Sequence, residues 1–294
     1  MSAITDGRGG PTIRRRLIGS HLRQLRESRG MTRGEAARVI RASETKISRL
    51  ELGRVPFKER DVRDLLGLYG VDDPCRREAI LDQVRHANIP GWWHTYSDVV
   101  PAWFAQYVDL ESDAEQIRTY EAQFIPGLLQ TEEYALAVTR AGRLPGGGLN
   151  LALEEIERRV KLRAARQERL TRANGPRLWA VVDEGALRRQ IGGLRVWRGQ
   201  LQYLIELQAL RNITIQVMPF GFGGHVAQVG AFTVLRFSGD DVPDVVYLEH
   251  LTGALYLDAH DDSDLYQKVF VQLAGDSQTP PDSADTLVRI LSDS

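Results

Sequence analysis

The sequence predicts an all-α bundle at the N-terminus followed by a larger α+β domain. Three observations carry this expectation. Apolar residues between Ile13 and Tyr69 recur at helical spacing, whereas the runs from Leu178 onward alternate or cluster as short strands. The charge also changes sign along the chain. Residues 1–70 hold 16 Lys+Arg against 8 Asp+Glu, and residues 71–294 hold 22 against 31. A basic module joined to an acidic one confines electrostatic attraction for phosphate to one part of the chain.

Composition narrows the classes further. At 294 residues, 43% hydrophobic and 26% charged, the chain is long enough for two domains that each bury a core. A single cysteine, Cys75, excludes an intrachain disulfide framework and a multi-cysteine zinc site. The longest apolar run, from Val99 to Ala105, contains Pro101 and is far shorter than the roughly 18 residues of a membrane span. Met1 to Gly10 is small, polar and glycine-rich, without the apolar region of a secretory signal. The expectation is a cytoplasmic protein with no membrane partner. It divides into a flexible N-terminus (1–12), a basic helical bundle (13–70), a connecting helix (71–90), a larger α+β domain (91–275), and a linker with a short last helix (276–294).

In the bundle, Ile13, Leu17, Ile18, Leu22 and Leu25 mark a first helix that Gly30 stops. Thr32 caps a second, with Glu35 three residues on completing a capping box, and Ala36, Ala37 and Ile40 facing inward. Ser43 caps a third, Glu44 to Leu52, which buries Ile47 and Leu50 and ends at Gly53. A fourth, about Lys58 to Tyr69, turns Val62, Leu65, Leu66 and Tyr69 inward. Two short helices separated by about three residues, with small Ala37 where their backbones approach, describe a helix-turn-helix. The second of the pair is the reader. Its outer face of Glu44, Thr45, Lys46, Ser48 and Arg49 suits hydrogen bonds to base edges and phosphates. The competing reading is a helical bundle whose basic face is only solvated.

The segment LRQLRESRGMTRGEAARVIRASETKISRLELG, Leu22 to Gly53, resembles the xenobiotic-response-element, or phage-repressor-like, helix-turn-helix family. Arg26, Gly30, Thr32, Ala37, the run from Ser43 through Ile47 and Ser48 to Leu50-Glu51, and Gly53 carry the resemblance. It implies that Arg26 and Glu51 form a buried ion pair clamping the reading helix. Two positions depart from the family pattern. Arg33 replaces the usual Gln at the start of the second helix, and Arg41 replaces the usual Gly of the turn, where a left-handed backbone costs roughly 1 kcal/mol.

Beyond Gly70 a helix is expected over Pro74 to Ala87. It is followed by an aromatic segment in which Trp92, Trp93, Tyr96, Trp103, Phe104 and Tyr107 crowd together. Such a segment stacks a planar ligand, anchors a partner, or forms core or a subunit interface; the last reading is favoured. Helices are expected over Thr131–Arg140, about Leu151–Arg172 and Val196–Leu210, with a loop at Pro145–Gly148. Strands are expected at Leu178–Val182, Ile213–Met218, Ala231–Phe237, Val245–Glu249 and Ala254–Asp258, forming a helix-braced antiparallel sheet. The tail SQTPPD reads as a linker before a short helix at Ala284–Leu291.

GWWHTYSDVVPAWFAQYVDLE, YEAQFIPGLLQTEEYA, RQERL, VVDEGALRRQIGG, ITIQVMPF and LEHLTGALYLD resemble an uncharacterised domain common in actinobacteria, where it follows such a helix-turn-helix. Some members are described as antitoxin-like regulators that bind a small partner protein. The resemblance implies a regulatory domain and identifies no ligand residue.

No catalysis, cofactor or metal is expected. His225, His250 and His260 lie near Glu249, Asp258, Asp261 and Asp262, but at no metal-motif spacing. The glycines of GFGGH lack a phosphate-binding spacing, and Cys75 stands alone. The expected function is a sequence-specific regulator of transcription on double-stranded DNA. Glu44, Thr45 and Lys46 approach base edges, while Arg33, Ser43, Ser48, Arg49 and Arg54 hold phosphates. Arg14 to Arg16 either add an arm or begin a solvated helix. One module covers half a site, so a homodimer on an inverted repeat is expected. A small partner protein or a small-molecule effector would act through the larger domain.

Overall fold

The computed structural model describes residues 11–141, 152–227, 230–238 and 242–293. These form two compact units. The first runs to Thr95 and takes in Val108–Asp113; the second comprises Tyr96–Tyr107, residues 114–238 and Pro243 onward.

The first unit holds α1 (Pro11–Ser28), α2 (Arg33–Val39), α3 (Glu44–Glu51), α4 (Glu59–Leu68) and α5 (Pro74–Ala87). Their inward stripes share one core. It includes Leu22 from α1, Ala36 and Ala37 from α2, Ile47 and Leu50 from α3, Leu65 and Leu66 from α4, and Ile80, Leu81 and Val84 from α5. Residues 71–90, expected as a connector, are therefore part of the bundle: three buried aliphatic side chains fix α5 to it. The N-terminal tail is shorter than expected, since α1 begins at Pro11; residues 1–10 lie outside the described residues.

The second unit is α+β, as expected, around a six-stranded sheet ordered β3-β2-β1-β4-β5-β6. The strands are β1 (Gln116–Glu121), β2 (Arg177–Asp183), β3 (Ile213–Met218), β4 (Phe232–Arg236), β5 (Val245–His250) and β6 (Gly253–Leu257). The sheet is mixed: three of its five pairings are antiparallel, as expected, and two are parallel. β1, β2 and β3 pair in parallel, and β4, β5 and β6 continue antiparallel. The cause is connection length, because parallel neighbours need a crossover, usually helical. Here α7 (Glu132–Ala141) and α8 (Leu153–Thr171) lie between β1 and β2, and α9 (Glu184–Arg188) and α10 (Leu194–Leu207) between β2 and β3.

β1 was not expected at all. Its sequence QIRTYE is mostly polar, yet Ile117, Thr119 and Tyr120 are buried, and Arg118 stacks over Trp179 and Phe270 at 5.9 Å from each ring. α6 (Ala102–Asp113) and α11 (His260–Asp276) were also unanticipated; α11 closes one sheet face with Phe270 and Leu273 over Tyr120, Val181, Phe232 and Val246. The last helix, α12 (Pro280–Ser292), is longer than expected. Its two prolines are not linker residues: they occupy the first turn, behind a Thr279 cap, where no N–H is needed. The loop expected at Pro145–Gly148 lies outside the described residues.

Candidate nucleic-acid interface

Local chemistry sets up α2 and α3 as the sequence predicts. Thr32 Oγ1 accepts from the Glu35 amide at 3.2 Å while Glu35 accepts from the Thr32 amide at 2.7 Å, completing the capping box. Ser43 Oγ accepts from the Lys46 amide at 3.2 Å and starts α3. Between them Arg41 takes φ 51°, the left-handed position usually given to glycine; it alone among the described non-glycine residues has positive φ. Gly53 ends the segment at φ 64°, and a Cβ there would strike the Arg16 backbone at 2.5 Å. A Cβ on Gly19 would likewise strike the Leu50 and Glu51 carbonyls at 2.5 Å, so α1 and α3 approach closely because both positions carry no side chain.

The inner side of α3 is held by charge as well as by Ile47 and Leu50. Glu51 is 6% exposed and takes the Arg26 guanidinium in a two-pronged grip, Nε at 2.5 Å and Nη2 at 3.1 Å. Arg26 Nη1 also donates to the Met31 carbonyl at 2.7 Å, tying α1 to the loop before α2. The hydrogen bond to Glu51 raises the Arg26 pKa against the opposing effect of burial. The ion pair that the family resemblance implies is thus present. Arg33, expected on phosphate, reaches the same carboxylate through Nε at 3.3 Å while its side chain stays 44% exposed.

Lys46 is placed differently from the expectation of a free base-reading ammonium. Its Nζ donates to Asp61 Oδ2 at 2.6 Å, and the Asp61 side chain, in the first turn of α4, is only 4% exposed. A carboxylate buried that deeply needs a counter-charge, and Lys46 supplies it. No sequence spacing announces this pair. Glu44 leans back to α2, where a Cβ on Gly34 would meet its Oε1 at 2.6 Å.

The face left to solvent comprises Ser43, Thr45 and Arg49, with Ser48 half-buried beside them and Arg54 exposed just past the helix. Arg38 on α2 and Arg41 in the turn, which the sequence reading did not single out for DNA, are also exposed. Of the arginines at the start of α1, two are held within the unit. Arg16 is 5% exposed, and Arg15 donates to Thr12 Oγ1 at 2.9 Å and lies 3.8 Å from Asp109.

The aromatic segment is divided between the two units. In the first, Trp92 donates to Ser112 Oγ at 2.9 Å and Trp93 to Asp109 Oδ1 at 2.5 Å. Asp109 is 4% exposed and also accepts from Thr12 at 2.8 Å. In the second unit, Phe104 and Tyr107 stack at 5.3 Å, with the Arg166 guanidinium 5.2 and 5.4 Å from their rings. Tyr107 lies 4.2 Å from Tyr247, Tyr256 donates to the Trp103 carbonyl at 2.5 Å, and Arg158 covers Tyr96 at 5.5 Å. The segment is packed and hydrogen-bonded. Among the described residues no cluster of three or more His, Cys, Asp or Glu could hold a metal ion, and no helix is long and apolar enough to cross a membrane.

A helix-turn-helix domain matches residues 17–79, which span the capped pair α2 and α3 and their supporting helices. A domain of unknown function (DUF5753) matches residues 104–289, most of the second unit. No curated protein and no solved structure matches the chain. With that domain covering more than half of its length, the chain belongs to the DUF5753 family and carries a helix-turn-helix domain, the architecture of a DNA-binding regulator, ahead of it.

Proposed function

We propose that the protein is a sequence-specific regulator of transcription, not an enzyme, and that it binds an inverted repeat in double-stranded DNA as a homodimer. One observation carries the reading. α3 has its inner side locked by Arg26–Glu51 and Lys46–Asp61, and its outer side presents Thr45 and Arg49 to solvent. A short helix whose position is fixed and whose outward polar groups are unspent is what major-groove readout requires. In this reading Glu44 and Thr45 meet base edges at the helix N-terminus. Arg33, Ser43, Ser48, Arg49 and Arg54 meet phosphates. Lys46 positions the helix through Asp61 and adds positive charge at the groove.

The second unit serves self-association and the binding of a partner protein or effector. The packing of the aromatic segment weighs against its use as a ring-lined pocket for a small molecule. Tyr107 is 6% exposed, and both indole N–H groups of Trp92 and Trp93 are already committed.

The test is selection of duplexes from a randomised pool by the full-length protein at about 0.15 M salt, where specific and non-specific binding separate. The expected result is enrichment of an inverted repeat. Salt-sensitive binding that enriches no sequence would overturn the specific reading and leave phosphate affinity alone.

A further inference from the structure

The two edges of the sheet are treated in opposite ways. On β3 several outward backbone groups are satisfied within the chain. Val217 C=O accepts from the Gln278 amide at 3.0 Å, Val217 N–H donates to Ser283 Oγ at 3.0 Å, and Ile215 C=O accepts from Gln208 at 3.5 Å. The other edge, β6, pairs only with β5, and among the described residues no backbone hydrogen bond reaches its outer side.

The hairpin geometry says which groups are left over. β5 and β6 are joined by Leu251-Thr252, with His250 opposite Gly253 as the closing pair. Closing pairs of two-residue hairpins exchange both hydrogen bonds, and bonded pairs then alternate with unbonded ones. Gly253, Leu255 and Leu257 therefore bond to β5, while Ala254 and Tyr256 turn their N–H and C=O groups outward.

Open edges in natural sheets are usually guarded by lysine, proline or a bulge. The strand Gly-Ala-Leu-Tyr-Leu carries no charge and no proline, and Leu255 is 46% exposed at its centre. Leu255 lies opposite Leu248, which packs against the α11-side core, so the apolar layer continues to the rim.

We infer that β6 is the dimerisation edge and that its occupant is β6 of a second copy, paired antiparallel about a two-fold axis through Leu255. In this register Ala254 faces Tyr256 of the partner subunit, so both outward residues of each copy exchange N–H and C=O groups. Leu255 then meets Leu255 of the partner subunit as an unbonded pair, the closer kind, with Cα atoms about 4.5 Å apart. The match is self-complementary because no charge faces its own copy. The inference rests on the homodimer reading above and gives it a surface; isologous pairing also supplies the two-fold symmetry that an inverted repeat demands.

The test uses the full chain with Cys75→Ser, which removes the exposed native thiol. Adding Leu255→Cys puts two thiols across the axis at a Cα spacing of about 4.5 Å, inside the roughly 4.4–6.8 Å range of disulfides. Mild oxidation should convert this variant to a covalent dimer, while Ala254→Cys, whose partner is Tyr256 and not itself, stays uncrosslinked. By light scattering the wild type should run at twice its 33.0 kDa, and Leu255→Lys should fall to the single-chain mass with unchanged circular dichroism. A dimer that survives Leu255→Lys, or fails to crosslink through Leu255→Cys, overturns the β6 edge and leaves the regulator reading standing. A wild type that is monomeric at every concentration and on selected DNA overturns the homodimer itself.

Discussion

The two units handle buried charge in different ways. In the first, three deeply buried carboxylates are matched by donors from elsewhere in the unit. Glu51 takes Arg26 and Arg33, Asp61 takes Lys46, and Asp109 takes Thr12 and Trp93. In the second, the side-chain carboxyl of Glu121 at the end of β1 has no hydrogen-bond partner among the described residues. Burial and the nearby charge of Glu249 push it up to about 8. Buried pairs contribute little net stability, since desolvation offsets attraction, but they penalise any arrangement that separates the partners. The pairs of the first unit join α1 to α3 and α3 to α4. The difference teaches that the bundle uses its buried charges to fix where α3 sits, whereas the sheet gets its order from apolar layers and leaves one carboxyl without a counter-charge.

The comparison breaks most visibly at Glu51. Glu51→Ala leaves Arg26, with a side chain 7% exposed, without its carboxylate, and the expected loss is about 3–5 kcal/mol. Denaturant titration should show the first unit unfolding early and specific DNA binding lost with it. A loss below 1 kcal/mol would show that the clamp is not what holds α3. The next largest effect is at Lys46. Lys46→Ala abandons the Asp61 carboxylate, but Lys46 is 37% exposed and water can enter, so roughly 2 kcal/mol is expected. A purely base-reading lysine would cost almost nothing in stability. A Lys46→Ala protein as stable as wild type would return the residue to that role.

Much of this was legible in the sequence, for identifiable reasons. α2 and α3 are set by local chemistry, Thr32 with Glu35 and Ser43 before the helix, and caps are written at short range. The period-two run Ile213–Met218 matches β3 residue for residue, because both of its ends are marked. The Arg26–Glu51 pair was available only through family resemblance, since nothing local joins residues 25 positions apart. Lys46–Asp61 was not legible at all: either residue alone reads as surface charge. β1 was missed because burial of Thr119 and stacking of Arg118 depend on β2, β4 and α11, none of which is near in sequence. The parallel half of the sheet was missed for a related reason. Strand direction follows from the connecting helices, and the strands themselves do not encode it.

The second unit's unmatched carboxyl predicts a pH effect of intermediate size. A carboxyl raised from its usual range to about 8 holds a proton in the folded state that the unfolded chain has already lost. Between about pH 4.5 and 8 the folded state binds more protons, so this residue's contribution makes stability fall as pH rises through that window. Glu121→Gln removes the dependence. Thermal unfolding at pH 5 and pH 8 should show the variant near wild type at the lower pH and above it at the higher. Parallel Tm curves for the two proteins would mean that Glu121 finds a partner in solution, and the contrast between the units would lose its second half.

The smallest stability effect belongs to the outer face of α3, where the comparison is sharpest. Arg49 is exposed and makes no ion pair within the described residues, so Arg49→Ala should change stability by less than about 0.5 kcal/mol. Its effect should appear only on DNA. A guanidinium that contacts phosphate releases about one counterion, so its removal weakens binding to all sequences alike and lowers the slope of log affinity against log salt by about one unit. Measuring that slope on an enriched and an unrelated duplex separates the possible roles of the residue. Equal losses on both with a shallower slope place Arg49 on the backbone. A loss confined to the enriched duplex, with the slope unchanged, would move it to a base edge. No change on either would mean that α3 presents to DNA a face other than the one its buried pairs hold outward.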